Sequence, residues 1–211
     1  MKLKIFVFNT FMVNCYMLYD ETREAVIVDA ACYEENEQKQ ISGFISANNL
    51  KLVRNINTHC HIDHILGNGF IEDNYGLKPE YHRDAQHFLL TAREIGLSFG
   101  YRLDRIPDPA GFLNENDIVR FGNSELKVLS APGHAAGSIC LYSAKDGFVI
   151  TGDVLFRETI GRTDLPSGDL DQLMNSIRTK LFTLPPETVV WPGHGPETTI
   201  SYEMVNNPFI R

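Results

Sequence analysis

Five of the chain's seven histidines and two of its aspartates fall into four short stretches: Thr58-His59-Cys60-His61-Ile62-Asp63-His64, Gly133-His134, Gly152-Asp153 and Gly193-His194-Gly195. Imidazole nitrogen and carboxylate oxygen are borderline ligands that suit zinc, iron and manganese. The neighbouring glycines let tight loops carry such ligands without steric penalty. His59, His61, Asp63 and His64 stand within six positions, and crowding them together without a cation would cost more than a surface loop recovers. A bound divalent ion removes that cost. His82 and His87, by contrast, lie in the polar run Glu80–His87 and read as ordinary surface histidines. Cys60 sits between two of the candidate ligands, and alternation along an extended segment turns it away from them.

Each stretch needs an element to deliver it. Residues 52–58 alternate apolar and polar side chains with β-formers at the apolar positions, and so read as a strand that ends at His59. Residues 126–130 lead in the same way to His134, 148–151 to Asp153 and 188–191 to His194. Four strands that each stop at a potential ligand predict one mouth along the ends of a sheet. Met1–Asn9 reads as an opening strand. Helices are predicted over Glu34–Leu50, with Ile41, Phe44 and Ile45 inward, and over Asp84–Ile95, with Phe88 and Leu89 inward. A third begins at Asp169, whose carboxylate suits a helix start, and aligns Leu170, Leu173, Ile177 and Leu181. Ile106–Gly111 reads as a connection or a lid.

The ordered set HxHxDH, His134, Asp153 and His194, together with Gly161-Arg162-Thr163-Asp164 and Pro192-Gly193-His194-Gly195, resembles the metallo-β-lactamase superfamily. Within it the chain is most similar to glyoxalase II (hydroxyacylglutathione hydrolase), and above all to short bacterial hydrolases of that branch. They share the run Gly161–Pro166 and the closing Asn207-Pro208-Phe209-Ile210-Arg211. The resemblance implies an α/β (α+β) fold, a four-layer αβ/βα sandwich of two mixed sheets with the metals at one edge. It implies that His59, His61 and His134 hold one divalent ion and that Asp63, His64 and His194 hold a second. Asp153 would bridge them, since two cations a few ångströms apart need an anion between them. Zinc is the first expectation, with iron or manganese as alternatives. Coordination lowers the pKa of water from about 15.7 to roughly 7, which supplies hydroxide for attack on a polarised carbonyl without a serine or cysteine nucleophile. Asp63 could in addition orient that hydroxide, although its place as a ligand weighs against a general-base role. Asp63 and His64 resemble the hydrolase branch rather than the antibiotic-degrading one.

The resemblance also has a boundary. Full-length glyoxalase II carries a C-terminal helical domain that grips glutathione, and this sequence runs only to Arg211, soon after the His194 turn. The expectation is one domain over residues 1–211 that hydrolyses small thioesters, with specificity for S-lactoylglutathione not carried over. A different reaction on the same scaffold is persulfide dioxygenation by a single iron held by two histidines and an aspartate. Arg162 has two readings: a clamp paired with the nearby Asp164, or a cationic contact for a substrate carboxylate.

Composition agrees. A chain of 211 residues with 43% hydrophobic and 22% charged residues is ample for one globular core. A net charge of −8 disfavours nucleic acid as a partner, and no apolar run is long enough to span a bilayer. The N-terminal apolar run is too short for a secretory signal. Four widely spaced cysteines without a CxxC pair suggest buried thiols in a reduced compartment, the cytoplasm. The partner expected is a small-molecule thioester, and the oligomeric state is left open.

Overall fold

The computed structural model describes residues 1–210; Arg211, the last residue of the closing Asn207–Arg211 run, lies outside them. The first half of the chain runs β1 (Lys2–Phe8), β2 (Val13–Tyr19), β3 (Glu24–Val28), α1 (Glu35–Ala47), β4 (Lys51–Ile56), α2 (Ile62–Ile65), α3 (Asn68–Tyr75), β5 (Pro79–Tyr81), α4 (His87–Ser98) and β6 (Gly111–Phe112). The second half runs β7 (Ile118–Phe121), β8 (Ser124–Ser130), β9 (Ile139–Ser143), β10 (Phe148–Gly152), β11 (Leu155–Phe156), β12 (Thr159–Ile160), α5 (Leu170–Ser176), β13 (Val189–Pro192), β14 (Thr198–Thr199) and α6 (Ile200–Asn206). β1 to β6 form one six-stranded sheet in chain order, and a second is ordered β14-β13-β10-β9-β8-β7. Both are mixed: β1, β2 and β3 are antiparallel while β3 to β6 are parallel, and β10 lies parallel to β13 but antiparallel to β9.

Strand alternation explains the layering. Tyr16, Leu18, Val26 and Val28 point between the sheets and meet Leu126, Val128, Ile139, Leu141 and Ile150 from the other side. Their neighbours Cys15, Met17, Ala25 and Ile27 point outward onto Ile41 and Ile45 of α1 and Ile71 of α3. On the opposite outer face Cys140, Val149 and Val190 receive Leu173, Ile177 and Leu181. Strands buried on both faces read as near-continuous apolar runs, and the outcome is the helix-sheet-sheet-helix sandwich. Among the described residues no helix is long and apolar enough to cross a membrane.

The predicted elements are present with shifted ends. The first helix stops at Ala47, where Asn48 closes it and Asn49 turns left-handed at φ 51°. The second begins as a 3₁₀ turn, Arg83–Gln86, and continues as α4 to Ser98. Asp169 caps α5 by accepting the Gln172 amide at 2.9 Å, and a π-helical turn, Ile177–Leu181, extends it. Leu170 departs from its predicted stripe. It is 51% exposed, because the helix meets the sheet only from Leu173 onward. The segment around Ile106 is a connection. Ile106 packs against the cluster under α4, and Arg105 beside it pairs with Glu72 at 2.8 Å and Asp73 at 2.6 Å.

At the end of the sandwich away from the histidines, Asp20 ties the two sheets together. From the β2–β3 turn its buried carboxylate accepts the Thr22 amide at 2.9 Å and hydroxyl at 2.5 Å, and across the sheets the Asn123 amide at 2.7 Å and Ser124 hydroxyl at 2.8 Å. Burial acts to raise its pKa, but these hydrogen bonds to the charged form outweigh it and hold the carboxyl below its ordinary value. Asp20→Ala is expected to lower stability by about 1–3 kcal/mol at pH 7, read from urea denaturation. The advantage of the native residue is complete above the unfolded carboxyl pKa of about 3.9 and disappears as pH falls through the lower folded value. A deficit that persists undiminished at pH 2.5 would show that the loss is not electrostatic.

Candidate metal centre

The four predicted ligand stretches arrive at one end of the sandwich. β4 ends at Ile56, and residues 57–61 carry the chain past His59 into the short helix α2, with His61 at its N-cap and Asp63 and His64 in its first turn. β8, β10 and β13 run to His134, Asp153 and His194. Gly152 turns at φ +51° beside Thr58, and a Cβ on Gly193 would stand 2.1 Å from the Asp153 carboxylate. Glycine is required at both places, at one by conformation and at the other by close approach.

All seven predicted ligands meet. Ligand atoms of His59, His61 and His134 lie within 4.8 Å of one another, and the same holds for His59, His64 and Asp153 and for Asp63, His64 and His194. Asp153 stands between the groups: its carboxylate is 3.4 Å from His64 Nε2, 3.7 Å from His134 Nε2 and 3.5 Å from His194 Nε2. Asp63 lies 3.3 Å from His194 Nε2 and 3.6 Å from His64 Nε2. Three buried atoms here, His59 Nε2, His64 Nε2 and Asp153 Oδ1, have no hydrogen-bond partner. Buried polar atoms are almost always satisfied, and these converge on the space between the ligands. The donor set fits a divalent cation.

The outer nitrogens fix how the rings face. His64 Nδ1 donates to Asp29 at 3.0 Å, His134 Nδ1 to the Arg162 carbonyl at 2.8 Å and His194 Nδ1 to the Phe11 carbonyl at 2.9 Å, while His59 Nδ1 contacts the Thr58 hydroxyl at 3.1 Å. Each bond turns Nε2 toward the centre. His61 alone presents Nδ1 inward, 3.0 Å from His134 Nε2.

Asp29 is the residue that sequence reasoning missed. It is fully buried with φ 53°. Besides His64 it accepts the Thr58 amide and hydroxyl, both at 2.7 Å, so one carboxylate orients the loop between β4 and α2 from two sides. Its signal was present: Val26-Ile27-Val28-Asp29 is another run of β-formers that stops at an acid. Behind it Asn68 donates to Asn57, which donates to the His64 carbonyl at 3.1 Å. At the rim, Asn9 donates to the Asp63 carbonyl at 3.0 Å.

Electrostatics divide the cluster. Burial pushes His59 well below the ordinary histidine value, takes His61 to about 4 and lowers His134. These three imidazoles are neutral at pH 7. Burial also acts downward on His64 and His194, but Asp153 and Asp63 outweigh it, raising His64 and taking His194 to about 9. The same contacts hold Asp63 and Asp153 below the usual carboxylate range against their burial. One side of the centre offers neutral nitrogen donors and the other concentrates negative charge.

The remaining candidates lie outside the centre. His82 and His87 belong to none of the three donor groups; His87 Nδ1 contacts the Asp84 carbonyl at 2.7 Å. Cys60 is 1% exposed among Ile62, Ile65 and Tyr81, and burial pushes its thiol up. Arg162 makes a forked pair with Asp164, both bonds 2.7 Å, with side chains 60% and 68% exposed. Its backbone carbonyl, rather than its charge, reaches His134.

The profile of the metallo-beta-lactamase superfamily matches residues 9–194. The hydroxyacylglutathione hydrolase GloC of Haemophilus influenzae is 31% identical over 212 residues, covering 100% of this chain and 98% of GloC. Among solved structures, BLEG-1, a B3 metallo-beta-lactamase, aligns with a TM-score of 0.87 and 31% identity over 99% of both chains. TTHA1623 in a di-iron-bound form aligns at 0.86 and 29% identity over 98% of this chain and 99% of that one. ETHE1 from Myxococcus xanthus aligns at 0.79 and 28% identity over 99% and 84%. With the sandwich, the order of the ligand stretches and these matches in agreement, the chain belongs to the metallo-beta-lactamase superfamily.

Proposed function

We propose that the chain is a binuclear metal-dependent hydrolase of small thioesters, akin to glyoxalase II, working in the cytoplasm. The observation that carries the reading is the meeting of five imidazoles and two carboxylates, among which His59 Nε2, His64 Nε2 and Asp153 Oδ1 are buried with no hydrogen-bond partner. The likeness to a hydroxyacylglutathione hydrolase supports the thioester bond as its target. In this reading His59, His61 and His134 hold one ion, Asp63, His64 and His194 the other, and Asp153 lies between them. Bound there, two divalent ions, zinc first or else iron or manganese, supply hydroxide at neutral pH and polarise a carbonyl.

The protein's own groups do the rest. Asp63 is largely buried, its side chain 14% exposed; in this reading one carboxylate oxygen serves as a ligand and the other orients the attacking water. No serine or cysteine nucleophile is required, in keeping with the buried, raised thiol of Cys60. A thiolate leaving group asks little of the protein, because thiols ionise near pH 8.5 and can depart without a strong general acid. Arg162, whose exposed guanidinium is paired with Asp164, is the group this reading assigns to a substrate carboxylate. The four free, buried cysteines support a reduced setting.

The single-iron persulfide dioxygenase reading keeps some support from the alignment with ETHE1. The intact second group, Asp63, His64 and His194, favours the binuclear hydrolase. Elemental analysis with oxygen uptake on glutathione persulfide separates them: the hydrolase reading requires two metals per chain, chelator-sensitive thioester cleavage and no oxygen uptake, whereas one iron with oxygen consumption would retire it.

Two substitutions probe the supporting residues. Asp29→Asn removes the anion behind His64 and is expected to weaken metal affinity about 10- to 100-fold in competition with a chromogenic chelator; unchanged affinity would show that His64 needs no carboxylate behind it. Arg162→Ala removes an exposed pair worth about 0–1 kcal/mol, so the melting temperature should hold while KM rises. A large fall in melting temperature with KM unchanged would assign Arg162 to the clamp instead.

A further inference from the structure

One flank of the metal centre is an apolar wall that hydrolysis itself does not require. Along α4 and its C-cap, Phe88, Ile95 and Phe99 fall on one stripe at spacings of seven and four residues. Phe88 meets the ring of His61 edge-on with centroids 4.8 Å apart. At the other end Phe99 meets Phe11 edge-on at 5.1 Å, and the Phe11 carbonyl is the one that holds His194. The stripe therefore starts beside His61 and ends against the residue whose backbone carbonyl holds His194. Phe88 is buried, but Ile95 is 39% exposed and Phe99 56%, and Met12, next to Phe11 at the tip of the β1–β2 hairpin, is 66% exposed.

The wall is held in place. Thr10 accepts no freedom at the tip: its amide donates to the Tyr101 hydroxyl at 2.9 Å, and the two hydroxyls lie 2.5 Å apart. The Asn9 amide donates to Glu37 at 2.7 Å, and its side chain donates to the Ala31 and Asp63 carbonyls at 3.1 and 3.0 Å. Met12 is kept at φ 59°, a conformation that a bulky residue adopts only when its surroundings impose it. Two other groups stand near the centre: Phe156 lies 6.2 Å from the His194 ring, and the exposed Arg162 is paired with Asp164.

We propose that Phe11, Met12, Ile95 and Phe99 form the acyl subsite, and that the site prefers thioesters of aliphatic or aromatic acids to short hydroxylated ones such as lactoyl. The thioester in this statement rests on the function proposed above; the apolar preference rests on the wall. A carbonyl carbon fixed at the metals must send its substituent out along a flank. The four side chains of this wall offer no hydrogen bond, so a hydroxyl laid against them gives up water without replacement, while each methylene gains by leaving it.

The test uses the metal-loaded full chain in two measurements. The first is calorimetric binding of straight-chain carboxylates from acetate to octanoate, with lactate for comparison. Affinity is expected to rise about two- to fourfold per methylene, the upper figure being full burial, and the rise should flatten in Met12→Ser and Phe99→Ser, whose exposed side chains can be removed with the fold retained. A chain-length-independent affinity, no carboxylate binding, or a rise that survives in both variants would overturn the subsite. The second is kcat/KM for a series of acyl thioesters of one thiol. Cleavage without dependence on the acyl chain retires the subsite and keeps the thioesterase; no cleavage, with the carboxylate series intact, retires the thioesterase and keeps the subsite.

Discussion

The structure depends on burying ligand atoms that no other part of the protein satisfies. His59 and His64 are closed off from solvent, yet their Nε2 atoms, like Asp153 Oδ1, face each other rather than partners. Such an arrangement is expensive in any interior, and it persists because everything around it is built to hold it. Strands of both sheets end at this point, glycines admit the close approach of Gly193 to Asp153, and four of the five imidazoles are turned by a bond at the outer nitrogen. The sandwich serves to bring side chains from distant parts of the chain to one place without giving any of them another use.

Charge is divided in the same spirit. Burial keeps His59, His61 and His134 neutral. Where Asp63 and Asp153 gather, the anionic charge balances incoming cations and meanwhile draws protons onto His64 and His194. A cation bound on that side would have to displace those protons.

How much of this could be read in the sequence depends on range. The clustered histidines and aspartates were legible because each follows a run of β-formers and sits next to glycine or within a tight histidine cluster. The layers were legible because alternation along strands is local. Asp29 had the same mark as Asp153 but stood alone, with no second ligand nearby in sequence to draw attention to it. The Phe11 and Arg162 carbonyls had no mark at all, since a backbone acceptor is the same in every residue. Arg162 illustrates the difficulty: its side chain invited a functional reading, while its carbonyl makes the contact with His134. Leu170 failed for a different reason, because periodicity describes a helix face and says nothing about how far the opposing sheet extends.

The bond from His194 to Phe11 joins residues 183 positions apart, and Asn14 reinforces it by reaching the Pro192 and Gly195 carbonyls at 2.9 and 2.8 Å. The β1–β2 hairpin must therefore wait for β13 before its rim is complete. Contacts of such separation are slow to form because loop closure precedes any reward. Folding at this rim waits on one late pairing, that of the β1–β2 hairpin with the turn after β13, and with it on the approach of His194 to the other six side chains of the cluster.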